Sequence, residues 1–253
     1  VFETTNAAPV KLRSAHSEME FHTWSDEECC LPAGATRATL RDPNRGSEGG
    51  LALQTGDVLI FEERVSPTTG TEGDADPTHR HAIRLTQVKY WTDYLEGTDV
   101  VDIEWDATDA LPFPLCLSAA GLPAVSVALG NVVLADHGRT VTATDTDAQP
   151  TPSEVLDSGS YRPKLGEAGV TMATVYDESA PASAALDQDP ADAIASRFSL
   201  ADDEGEQWEA VRDLLDSDRF DAKVVVEVEN DGTAYLRFGD NVKGKRPSAG
   251  TNF

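Results

Sequence analysis

Val100-Val101-Asp102-Ile103-Glu104-Trp105 places Val101, Ile103 and Trp105 on one side of an extended chain and Asp102 and Glu104 on the other. Side chains alternate across a strand, so this period of two marks a half-buried β-strand. Upstream, Ala82-Ile83-Arg84-Leu85-Thr86-Gln87-Val88 alternates in the same way, which predicts Ile83, Leu85 and Gln87 on one face. Further back, Leu51-Ala52-Leu53 leads through the turn residues Thr55-Gly56-Asp57 into the apolar run Val58-Leu59-Ile60-Phe61. Residues 66–76 lack apolar periodicity and read as an exposed loop.

A second block opens near Ser118. Residues 125–134 are β-like, interrupted at Gly130-Asn131 and ended by Asp136-His137-Gly138. Residues 142–158 are polar and carry prolines, which predicts irregular structure. Residues 179–195 form an Ala/Asp/Pro-rich connector of low hydrophobicity. A helix is predicted over 203–216, with Asp202 or Asp203 as its cap, acids in its first turn, and Trp208, Val211, Leu214 and Leu215 as its apolar stripe. A β-hairpin comes next over 222–238, turning at Asn230-Asp231-Gly232, where the central residues are expected at positive φ. The fold class is therefore mainly β (α+β), in two β-rich domains, 1–118 and 119–253. The second is expected to carry one or two helices.

The charge is lopsided. The chain has 253 residues with 45 Asp and Glu against 20 Lys and Arg, a formal net charge of −25. Such a field repels phosphate backbones and anionic lipid, which speaks against nucleic acid and membrane as partners. No run reaches the eighteen apolar residues of a spanning helix. The acid is spread along the whole chain, as expected of a protein adapted to multimolar salt, where self-repulsion is screened. The start at Val1-Phe2-Glu3-Thr4 and the stop at Thr251-Asn252-Phe253, just past a Gly/Pro-rich turn, read as the interior of a longer polypeptide.

The residue types that carry chemistry form no recognisable constellation. Cys29, Cys30 and Cys116 are odd in number and two are neighbours, so they read as small apolar side chains in a reducing cytoplasm, not as a disulfide framework. His79-Arg80-His81 puts two imidazoles on one side of a strand, and His22 lies near Cys29. Yet no C-x-x-C and no second His pair completes a zinc pattern, so no metal or cofactor is expected. There is no G-x-S-x-G and no phosphate loop, and adjacent Asp136 and His137 point opposite ways on an extended chain. The paired acids Glu27-Glu28, Glu62-Glu63 and Asp202-Asp203 reflect composition alone. Lys243-Gly244-Lys245-Arg246 is the one basic cluster, a candidate docking spot for an acidic partner. Trp105 and Trp208 read as core, while Trp24 is ambiguous. An enzyme is not the expectation.

Several segments, in order, resemble the baseplate assembly family, the large J-like wedge proteins of contractile injection systems. They are Phe21-His22-Thr23-Trp24-Ser25-Asp26, Cys29-Cys30-Leu31-Pro32-Ala33-Gly34, Gly56-Asp57-Val58-Leu59-Ile60-Phe61, and Ala75-Asp76-Pro77 with His79-Arg80. Ile103-Glu104-Trp105, Leu111-Pro112-Phe113-Pro114-Leu115-Cys116, Gly130-Asn131-Val132-Val133-Leu134-Ala135-Asp136-His137-Gly138 and Tyr161-Arg162-Pro163 continue the series. Leu236-Arg237-Phe238-Gly239-Asp240-Asn241 with Gly244, Pro247 and Gly250 ends it, and Asn241 stands where the family has Gly. Asn is the best substitute for Gly at positive φ, so that turn is expected to survive. The resemblance implies a structural wedge subunit, assembled in the cytoplasm into a tail-like particle. Its partners would be a second wedge protein, a small lysozyme-like-fold baseplate protein, the spike or hub, the sheath through the baseplate, and further copies of itself in six-fold array. A receptor- or glycan-binding β module of a tail particle is the alternative.

Overall fold

The structure, a computed structural model, describes residues 2–5, 9–122, 124–142, 149–170, 177–185 and 198–253. It is mainly β, as expected. The helical content of the described residues is confined to short 3-10 turns, the longest being Ala182–Ala185. None is long and apolar enough to cross a membrane. The chain divides into two compact units, one of Asn6–Leu134 with Asp177–Asp187 and one of Val1–Thr5, Ala135–Tyr176 and Gln188–Phe253. Described residues 9–134 thus fall in one unit, beyond the boundary expected near 118, while residues 2–5 fall in the other. The expected connector of 179–195 lies outside the described residues from 186 onward, as do 143–148 of the expected irregular stretch.

The larger unit is a six-stranded antiparallel sheet in the order Met19–Glu20, Ser126–Leu129, Val58–Glu63, Arg80–Asp93, Thr98–Trp105, Arg37–Arg41. The sheet curls until its two outer strands meet. Phe21 bridges Leu40, and the His22 N–H donates to the Thr39 carbonyl at 2.8 Å. Closure turns one face inward, and the alternating positions fill it: Leu59, Phe61, Ile83, Leu85, Val101, Ile103 and Trp105 are all buried. Phe61 stands edge-on to both Phe21 and Trp105. Burying such side chains contributes about 1.5–3 kcal/mol each. Gln87 departs from the expected alternation and is exposed, because the register slips between Leu85 and Gln87. A β-bulge adds one residue to a strand and moves the later residues of that strand to the other face.

The smaller unit is a second six-stranded sheet, ordered Pro150–Thr151, Lys164–Ala168, Thr233–Phe238, Lys223–Val228, Gln207–Ala210, Ser199–Ala201. The Gln207–Ala210 strand runs parallel to Lys223–Val228, and the other pairs are antiparallel. Leu165, Trp208, Val224, Val226, Leu236 and Phe238 form its core. In the same unit the strand Phe2–Thr4 pairs antiparallel with Ala135–His137 as a separate ribbon.

The helix expected over 203–216 does not form. Gln207–Ala210 is a strand in which Trp208 and Ala210 are buried while Gln207 and Glu209 face out, a period of two. Asp202 does cap backbone, but of a turn. Its Oδ1 accepts from the N–H groups of Glu204 and Glu206, and its Oδ2 from Trp208 Nε1 at 3.2 Å. Gly205 at φ +85° closes that turn. Leu215, expected in the apolar stripe, is 69% exposed. The hairpin of 222–238 does form, with the Gly232 N–H donating to the Glu229 carbonyl at 2.9 Å. Its turn differs from expectation in one respect: of Asn230, Asp231 and Gly232, only Gly232 adopts positive φ.

Candidate functional site

Several of the segments that carry the resemblance lie against one another. Cys30-Leu31 pairs antiparallel with Leu115-Cys116, and the N–H groups of Leu117 and Ser118 donate to the Cys29 carbonyl. Ser118 Oγ donates to the Asp26 carbonyl at 2.7 Å and accepts from the Cys29 N–H at 3.0 Å. The Gly34 N–H donates to Leu111 O, and the turn at Pro32 closes through the Ala35 N–H. Gly56 and Asp57 exchange backbone hydrogen bonds with Leu85. Phe113 stacks on His79 at 4.7 Å, while His79 Nδ1 donates to Glu63 Oε2 at 2.7 Å. Glu63 is buried, and its other oxygen accepts the Asp76 N–H. The His79 and His81 rings both meet Phe113 and are engaged as packing and hydrogen-bonding groups.

The reading of the cysteines is corrected. Cys30 and Cys116 are cross-strand partners with Cα atoms 3.8 Å apart, joined as a disulfide. Cys30 is exposed, not a buried apolar side chain. Its neighbour Cys29 is a free thiol packed against the core, and burial, then the Asp26 carboxylate, pushes its pKa up.

Asn131 adopts φ 56°, and its side chain both accepts the Arg13 N–H and donates to the Arg13 carbonyl, each at 2.8 Å. Asp136 and His137 sit in the strand paired with Phe2–Thr4, where His137 meets the Phe2 ring; Gly138 comes directly after. In the smaller unit Arg237 Nε donates to Glu227 Oε1 at 2.6 Å, and Phe238 packs with Trp208, Tyr161 and Phe253. Burial raises the Tyr161 pKa to about 12. Asp240 Oδ1 accepts the N–H groups of Val242 and Lys243, while Pro247 is buried. Asn241 adopts φ 68° with its N–H on Gly244 O and its Oδ1 on the Arg246 N–H, so the Gly-type turn does survive. The basic cluster also makes contacts within the chain. Lys243 donates to the Leu215 carbonyl, Lys245 pairs with Glu206, and Arg246 Nη2 donates to Gly159 O. Lys243 and Arg246 stay exposed.

One corner of the larger unit gathers polar groups that the sequence does not connect. His22 is 1% exposed, and its Nε2 donates to Asp93 Oδ2 at 3.0 Å. Its Nδ1 stands 3.9 Å from Glu96 Oε2. Asp93 Oδ1 accepts the Leu95 N–H at 2.9 Å, and Ser25 Oγ donates to Glu96 Oε1 at 2.6 Å. The Leu95 N–H first, and then His22, hold the Asp93 carboxyl below the ordinary carboxylate range. Trp24 and Ser25 both adopt left-handed φ, 52° and 58°, which brings the Trp24 ring to 5.0 Å from that of His22. Beside this corner an open cleft is lined by Trp24, Arg45, Trp91, Tyr94 and Leu95. Tyr94 and Leu95 are 90% and 98% exposed at the hairpin tip. Of these residues the sequence singles out Trp24 and His22. Asp93 and Glu96 are far from His22 along the chain, and the only local signal was the turn between two alternating runs. The chain matches no family model, no curated protein and no solved structure.

Proposed function

We propose that this chain is a structural wedge subunit of the baseplate of a contractile, phage-tail-like injection machine. What supports the reading is the mutual packing of the family-like segments. Cys29-Cys30-Leu31-Pro32 lies along Leu111–Cys116, and the Gly239–Gly244 turn keeps its geometry with Asn241 at positive φ. These Gly, Pro, Trp and Asp positions fix backbone shape and leave exposed loops for neighbours, which is scaffold chemistry. In this role the subunit links the central spike or hub to the sheath, with a second wedge protein and the small lysozyme-like-fold protein beside it, in six-fold array. Its function is mechanical: rearranged interfaces release a metastable baseplate. Assembly takes place in the cytoplasm of a halophilic host, and the Cys30–Cys116 bond then forms after the subunit leaves that reducing compartment.

The test is to tag the full-length protein in its native host, purify it at high salt, and submit the eluate to negative-stain microscopy and mass spectrometry. Six-armed stars or sheathed rods with sheath and spike proteins support the wedge. A lone protein without tail components overturns it. A receptor- or glycan-binding β module is the second reading, favoured by the aromatic cleft of Trp24, Trp91 and Tyr94. It requires that the isolated chain bind a glycan array and that Trp24→Ala abolish the signal.

A further inference from the structure

The geometry points to a binding site for one divalent transition-metal ion of the zinc type, formed by His22, Asp93 and Glu96. One donor atom from each residue lies within 4.8 Å of the other two. Tetrahedral zinc, with bonds of about 2.0–2.1 Å, holds its ligand atoms about 3.4 Å apart. The three therefore need to close by on the order of 1 Å around an ion, which replaces the proton that His22 shares with Asp93 and releases it to solvent. Glu96 supplies that movement, since it sits at the hairpin tip and its side chain is 23% exposed.

Three features separate this corner from an ordinary buried ion pair. Asp93 accounts for one ring nitrogen of His22, yet a second carboxylate also converges on the ring, at a distance no hydrogen bond spans. Each carboxylate has one oxygen held by a donor outside the trio and the other turned toward the imidazole. Asp93 Oδ1 is held by the Leu95 N–H and Glu96 Oε1 by Ser25 Oγ. Such outer donors orient metal ligands and are part of a working site. Finally, Trp24 and Asp93 also line the open cleft, which gives an ion its path and leaves the fourth position to water.

The donor set chooses the class of ion. One imidazole with two carboxylates suits zinc, cobalt or manganese, whereas magnesium and calcium prefer all-oxygen shells. A bound ion ties the Trp24-Ser25 segment to the tip of the 93–97 turn, so the site acts as a clasp on the cleft and has no need of a reaction.

The experiment is calorimetric titration of the full chain with Zn²⁺ in molar potassium chloride, where diffuse attraction to the −25 surface is screened. Co²⁺ absorption is recorded in parallel. The expected result is one ion per chain, a cobalt spectrum of low coordination number, and a loss of at least about tenfold in affinity for Glu96→Gln. Ser25→Ala weakens binding less, and Mg²⁺ does not compete. Glu96 is on the surface, so its variant folds even if His22→Asn does not. Equal uptake by wild type and Glu96→Gln, several equivalents without saturation, or displacement by Mg²⁺ each overturn the site.

Discussion

Gly239 approaches Gly244 so closely that a Cβ on Gly239 would stand 2.1 Å from the Gly244 carbonyl carbon. No side chain fits there, and the obstacle is backbone that cannot rotate away. Gly239→Ala is therefore expected to destabilise the smaller unit by more than about 3 kcal/mol. Asn241→Gly, which keeps the left-handed conformation, is expected to stay within about 1 kcal/mol. Thermal and urea denaturation of the two variants check the contrast, and equal losses would remove the role given to that turn.

Asp109 is fully buried and its carboxylate accepts from the N–H groups of Arg84, Ala182 and Ser183 and from Ser183 Oγ at 2.6 Å. Burial raises its pKa, but these donors outweigh burial and the net shift is downward. With a folded pKa below the unfolded one, its stabilisation is complete above the ordinary carboxylate value and is lost as pH falls through the folded value. Asp109→Ala leaves those donors unsatisfied and costs about 3 kcal/mol or more. Hydrogen exchange at Ala182 and Ser183 should rise in the variant at neutral pH, and in the wild type only in acid.

The Cys30–Cys116 disulfide closes a loop of sequence separation 86. Constraining so long a loop in the unfolded chain stabilises by about 4–5 kcal/mol. Cys30→Ser and Cys116→Ser should each lose that amount, and the loss should not add in the double variant. Thiol counting on the denatured, unreduced chain should find one reactive group, Cys29.

With 45 acidic against 20 basic residues, self-repulsion opposes the compact state at low salt. Potassium chloride at about 1 M shortens the screening length to about 3 Å. A gain on the order of 2 kcal/mol would raise the melting temperature by roughly 4–8 °C. A melting temperature that is flat from dilute to molar salt would count against a halophilic origin.

Much of the β-structure was legible because strands half-buried in a sheet must alternate. Val101, Ile103 and Trp105 did so, and all are buried. The failures have physical causes. Trp208, Val211, Leu214 and Leu215 fit a helical stripe, but Trp208 and Ala210 also fit a strand. Over so short a run the two periods cannot be told apart without knowing that Lys223–Val228 lies alongside. Gln87 was misplaced because a bulge leaves no mark in composition. Cys30 and Cys116 meet through the register of two short strands, and His22, Asp93 and Glu96 through the tip of a distant hairpin. Neither relation exists until the sheet is closed.

That closure governs how the larger unit can meet anything else. A sheet with a bare outer strand presents a row of unpaired N–H and C=O groups, and can be extended by a strand from another chain. Here Phe21 lies against Leu40 and His22 against Thr39, so the two outer strands serve each other there. Recognition at this unit then falls to side chains and turns, and the specificity of its contacts is written in residues such as Trp24, Tyr94 and Leu95. Neighbours would have to match their shapes; backbone pairing at that seam is already taken.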